Sequence, residues 1–247
     1  MANRFRTIIA VTIALTLAGG GMGLSPLGVR AQEDSTSEFP GRLDGGGTHA
    51  QDDSPREFPG RRVGGGTRGG CWGGPRPLLA LHPANNLGVT AAAKPTLYFV
   101  LPSLRQAQEV EFLLVDDQQK TIYEHLEWVE PDQAILAVQI PDQYLALGQP
   151  HQWYFAVICD RDNPAQDLVV DGWLQRVATA SPVSPSPEQL PADLERLKGY
   201  QAQGLWTDAI ALITALRQAH PENPAVQAQW QALITTLGFG IFDAVLP

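Results

Sequence analysis

Cys71 and Cys159 are the only two cysteines in this 247-residue chain. In an oxidising compartment an even pair is most simply one disulfide. The bridge would close a loop of about 88 residues, which by chain entropy is worth somewhat over about 4 kcal/mol less any strain. The alternative is two separate thiols, one of them nucleophilic; neither a CxxC spacing nor an adjacent histidine accompanies it.

Other chemistry-bearing residues form looser patterns. His49, His82, His125, His151 and His220 are spread so that no two lie within 25 residues of each other. No HExxH, Cys-His zinc set, GxSxG elbow or dinucleotide fingerprint occurs. The residues therefore specify no catalytic group, no metal ligand set and no cofactor. Asp160, Asp162, Asp167 and Asp171 crowd one connection and begin like a calcium loop, but Pro164 and Ala165 stand where a ligand and the turn glycine belong. A solvated acidic turn is the reading adopted. Glu109 with Glu111, and Glu124 with Glu127, have the residue types of a glycosidase pair, as do many strand-surface acids. Trp72, Trp128, Trp153 and Trp173 could line a carbohydrate-binding face. Strand alternation makes Trp153 and Trp173 core candidates and leaves Trp72, in its Gly-rich setting, as the exposed one.

The elements that must position these residues fall into blocks. The chain opens with Arg4 and Arg6, an uncharged apolar stretch from Ile8 to Ala18, and small residues up to Ala31. That order is a secretory signal peptide over residues 1–31, too short for a membrane span of about 20 apolar residues. No later stretch is long and apolar enough to span a bilayer, so no integral membrane segment is expected after cleavage. Removal takes away Arg4, Arg6 and Arg30 and no acid, moving the formal charge from −9 to −12. Such acidity excludes nucleic acid as the expected partner.

Residues 32–74 are Gly-rich and carry a duplicated motif. Glu38-Phe39-Pro40-Gly41-Arg42 leads to Gly45-Gly46-Gly47-Thr48, and Glu57-Phe58-Pro59-Gly60-Arg61 leads to Gly64-Gly65-Gly66-Thr67. The composition predicts a segment without packed structure until near Cys71. Residues 75–177 then show short runs rich in β-branched and aromatic residues: 96–101, 110–116, 121–128, 134–140, 152–159 and 168–177, with 78–81 as a possible seventh. Turn formers between them predict an antiparallel Ig-like β-sandwich. His151 stands where such folds commonly place a corner tyrosine, and a ring nitrogen is expected to bond back to the main chain.

A Pro/Ser linker spans residues 178–190, a helical module residues 191–238, and a tail residues 239–247. Leu190, Leu194 and Leu197 mark a first helix; Trp206, Ile210, Ile213 and Leu216 a second. The third opens at Asn223-Pro224, a cap followed by proline, and buries Val226, Trp230, Leu233 and Leu237. Tyr200, Gly204, Trp206, Ala209, Ile213, Leu216 and Pro221 resemble one tetratricopeptide repeat in their spacing. The fold class expected is therefore mainly β plus α, a sandwich followed by a short tetratricopeptide-like helical hairpin.

Residues 61–71 (Arg61 to Cys71), Leu79-Ala80-Leu81, Pro95-Thr96, Trp153-Tyr154-Phe155 with Cys159, Gly172-Trp173-Leu174-Gln175-Arg176 and Gly204-Leu205-Trp206-Thr207-Asp208-Ala209 closely resemble the cyanobacterial domain of unknown function 928 family. The resemblance implies an exported protein of a Gram-negative photosynthetic bacterium and brings no catalytic residues with it. The function expected is a non-catalytic interaction module of the cell envelope, in the periplasm, the outer envelope or outside the cell. An envelope protein or glycan is the expected partner, with Trp72, Tyr200, Trp206 and Trp230 as the interaction surface. The alternatives are a hydrolase acting on envelope polymers and a redox-dependent fold.

Overall fold

A computed structural model describes residues 58–65, 70–179 and 189–246. The leader, the first copy of the repeat and most of the Pro/Ser linker lie outside the described residues. The described ones form an antiparallel β-sheet, nearly barrel-shaped, followed by three helices.

Among them are nine strands: β1 (Arg61–Gly65), β2 (Leu79–Ala80), β3 (Leu87–Thr90), β4 (Thr96–Val100), β5 (Gln108–Val115), β6 (Thr121–Val129), β7 (Ile135–Gln139), β8 (Pro150–Ile158) and β9 (Leu168–Arg176). Their order is β6-β5-β8-β9-β1-β2-β4-β7, and β3 also pairs with β9, in parallel. β6 and β7 are thus the two ends of the path. The hairpin joining β5 to β6 shows how register is set. Asp116 Oδ1 accepts from the backbone N–H groups of Gln118 and Lys120, both at 2.9 Å, and Gln119 takes the left-handed φ of 62° that closes the turn. Leu114 then faces Tyr123, and Glu109 faces Trp128.

Alternation within the strands divides their side chains between two cores. Phe99, Phe112, Trp153 and Phe155 fill the interior of the curved sheet, with the rings of Phe99 and Phe155 stacked at 4.0 Å between centroids. The other face of β2 and β4, bearing Leu79 and Val100, is covered by the helices α1 (Leu190–Ala202), α2 (Trp206–Ala219) and α3 (Pro224–Thr236). β2 and β4 are buried on both faces, which is why Leu78-Leu79-Ala80-Leu81 reads as a continuous apolar run. α3 opens as its sequence predicts: Asn223 Oδ1 accepts from the N–H groups of Ala225 and Val226, with Pro224 in the first turn.

Two strands were not expected. Residues 61–65 fall in the segment read as unpacked, yet they form β1, between β9 and β2. β1 has no apolar period because its own side chains contribute little to either core; Val63 is 37% exposed. Main-chain bonds and close approaches hold it instead. Gly64 N donates to Leu78 O at 2.8 Å, and a Cβ on Gly64 would come within 2.8 Å of the Leu78 Cβ. A Cβ on Gly60 would collide with the Asn86 side chain. Phe58 stands edge-on to Trp173, whose Nε1 donates to Pro59 O at 3.0 Å. The described part of the second copy, residues 58–65, is therefore fitted against the sheet. β3 was missed for a related reason: it is four residues long and contains Gly88, against which His82 and Thr207 pack.

Candidate functional site

The aromatic residues expected to form an interaction surface are mostly interior. Trp230 is 2% and Tyr200 8% exposed, both in the core beneath the helices, and the Arg217 guanidinium lies 4.2 Å above the Trp230 ring. Trp206 is half-buried against the same core. Trp72 is half-buried too, packed on the sheet interior through a bridge to Leu104, and not the exposed tryptophan its Gly-rich setting suggests. In a helical layer only three helices thick, the large rings on the inward stripes are needed to fill it. Trp153 is fully buried as expected; Trp173 is not a core residue but lies half-exposed on the outer face of β9, beneath Phe58.

The exposed tryptophan is Trp128, 65% accessible, with Leu126 at 49% beside it on β6. Register fixes this. β5 buries Val110, Phe112 and Leu114, so Glu109 and Glu111 point outward, and they face Trp128 and Leu126 across the pair. The phase of β5 with the length of the Asp116–Lys120 turn carried that signal, whereas the β6 residues alone alternate ambiguously. Glu124, opposite Leu113, extends the same face. Glu127 does not join it: it points to the other side of β6, where its carboxylate meets His125 Nε2 at 3.1 Å.

This outer face is acidic. Burial pushes the Glu111 carboxyl up, and the neighbouring Glu124 and Glu109 push it further. Arg161 forms an ion pair with Glu109. A carboxyl raised among others can hold a proton at higher pH, which is what a general acid requires. Around it, however, Leu126 and Trp128 stand open to solvent, so the face supplies recognition area rather than a water-excluding pocket.

The acidic connection serves the backbone. Asp167 Oδ1 accepts from Cys159 N at 2.8 Å, Asp160 Oδ1 from Asp162 N at 3.0 Å, and Asp171 Oδ1 from Arg61 N at 3.1 Å. Asp171 thereby anchors β1 instead of joining a calcium loop. Among the described residues no group of three or more metal-ligating side chains gathers. His151 Nδ1 bonds to Gln149 O at 3.1 Å, the return to the main chain expected of it. Cys71 and Cys159 are bonded, with Cα atoms 5.0 Å apart and the Cys71 N–H donating to the Cys159 sulfur at 3.3 Å. They border a polar cleft of about 260 Å³ shared with Arg105, Gln108, Asp160 and Gln166.

A second set of buried polar groups lies where the helices meet the sheet. Asp208, 4% exposed, accepts from Thr90 Oγ1 at 2.6 Å and from Ala91 N at 2.7 Å. Burial pushes its carboxyl up, against the hydrogen bonds that hold it down. Arg62 Nη1 donates to His82 O at 2.9 Å and to Leu237 O at 2.6 Å, and its guanidinium lies 4.7 Å from the Phe239 ring centroid. His82, 1% exposed and edge-on to Trp153, is held neutral by burial, its pKa lowered to about 4. The motifs containing Arg62, Trp173 and Asp208 thus converge on the joint that fastens β1 and the helices to the sheet.

The family model described as Domain of Unknown Function (DUF928) matches residues 63–244. The chain belongs to this family. The match starts within β1 and ends in the short turn of 3-10 helix at Gly240–Val245, so the DUF928 unit takes in the sheet and all three helices together. No curated protein matches the chain.

Proposed function

We propose that this DUF928 protein is an exported, non-catalytic interaction module of the cell envelope, with an envelope protein or glycan as partner. The observation that carries the reading is Trp128: a tryptophan 65% exposed, next to Leu126, on a strand at the end of the sheet. Large apolar groups grouped at a surface are characteristic of binding sites, and tryptophan is the residue most enriched among binding hot spots. The secretory leader read over residues 1–31, and the cyanobacterial character of the family resemblance, supply the envelope setting. In this reading the curved sheet is an Ig-like scaffold, and α1 with α2 is one tetratricopeptide-like hairpin covered by α3. The helices act as a brace, because Tyr200 and Trp230 are spent on their core.

The test is retention on washed envelope fragments of the native host. Trp128→Ser with Leu126→Ser should cut retention at least about tenfold with stability unchanged within about 0.5 kcal/mol, as for exposed positions generally. Equal retention of the variant and the parent protein would remove the reading.

A further inference from the structure

We infer that β6 is a docking edge for a cationic, extended polypeptide segment, which adds to it as a further strand. The inference rests on the interaction-module reading and names its partner class. β6 ends the strand path: it pairs with β5 on one side, and no strand among the described residues pairs with its other side. A free edge carries unpaired N–H and C=O groups that a strand in extended conformation satisfies, while alternate side chains contact the two faces of the sheet.

The side chains at this edge select the partner. On the outer face Glu124 precedes Leu126 and Trp128, with Glu111 and Glu109 in the adjoining strand; on the opposite face Glu127 stands next to His125. Acids therefore flank the edge on both sides of the pleat. Of their cationic neighbours, Arg161 is engaged by Glu109, and it leaves Glu124 and Glu111 outside that pair. A second copy of β6 paired in parallel and in register would set Glu124 against Glu124 and Glu127 against Glu127, which opposes self-pairing in that arrangement. A segment with lysine or arginine at alternate positions would set its cations on the outer face, against Glu124, Glu111 and Glu109 with their methylene stems along Leu126 and Trp128, and would turn its intervening apolar residues to the opposite face. Complementarity of this kind sets which partner is accepted and how fast it arrives.

The test titrates the full chain with two synthetic peptides the length of β6, one alternating lysine with valine and the other glutamate with valine, following amide hydrogen exchange and tryptophan fluorescence, the Trp128 share of which is its difference from the Trp128→Ser variant. The lysine peptide should bind at least about tenfold tighter than the glutamate peptide, lose affinity at high salt, and slow exchange at β6. Glu124→Lys, on the face the lysines meet, should weaken it several-fold, and Glu127→Lys, on the face the valines meet, should weaken it less. Equal binding of the two peptides, or slowed exchange confined to other strands, overturns the inference. Should Trp128→Ser abolish retention on envelope fragments while the lysine peptide shows no preference, the strand-addition inference falls and the interaction reading stands.

Discussion

The carboxylate of Asp208, in the first turn of α2, accepts the hydroxyl of Thr90, at the end of β3, at 2.6 Å. This bond and the one from Ala91 N join a helix to a strand 118 residues away in sequence, inside a region that water does not reach. Removing the carboxylate would leave a buried hydroxyl and a buried N–H without their acceptor. Asp208→Ala should therefore cost about 2–4 kcal/mol in denaturant unfolding. Hydrogen exchange should rise in α1 to α3 more than in β5 and β8.

Acid should loosen the same joint through His82. Its pKa, lowered to about 4 by burial first, lies below the 6.5 of an unburied imidazole. The unfolded chain thus takes up a proton in a range where the folded one does not. The stability contribution is complete above pH 6.5 and is lost as pH falls toward 4, by an amount on the order of 3 kcal/mol. Burial raises the carboxyls of Glu111, Asp167, Asp171 and Asp208, and these titrate in the opposite sense. Comparing parent and His82→Gln unfolding between these pH values isolates the histidine: the variant should show a flatter profile on the acid side, whatever its stability at pH 7.

Arg62 bridges the loop after β2, the end of α3 and Phe239 with one side chain. Replacement by leucine should destabilise by about 2–4 kcal/mol, since two carbonyls lose a charged donor. Lysine, which keeps the charge but not the planar fork, should restore only part of this. Urea unfolding of the three proteins measures the order.

Reduction of the Cys71–Cys159 bond frees a loop with a sequence separation of 88. Loss of about 4–5 kcal/mol is expected from chain entropy. Unfolding with and without reductant should differ by about that much in the parent protein, and not at all in a Cys71→Ala, Cys159→Ala double variant.

The longer strands were legible because burial follows alternation: Val110, Phe112 and Leu114 declare the inward face of β5, and the turn residues Asp116 and Asp117 end it. The helices were legible from their apolar spacing and from the Asn223-Pro224 start. β1 was not, because Gly60 and Gly64 are placed by the atoms that crowd them, and a glycine-rich string looks alike whether it is fitted or loose. The site was less legible still. Trp230 and Trp128 are the same residue type, and which is interior depends on partners distant in sequence. For Trp128 the deciding fact is its register opposite Glu109; for Asp208 it is the Thr90 hydroxyl.

The bond between Cys71 and Cys159 also determines how the molecule answers tension. Force applied between Phe58 and Leu246 would first act on β1, which is sheared against both β9 and β2, and would then pass directly from Cys71 to Cys159 through the sulfurs. Once β1 has separated, the covalent path skips everything from β2 to β8, which lies within the bypassed loop. Under mechanical extension, β6 with its exposed Trp128 would keep its hairpin partner β5 after β1 had torn away.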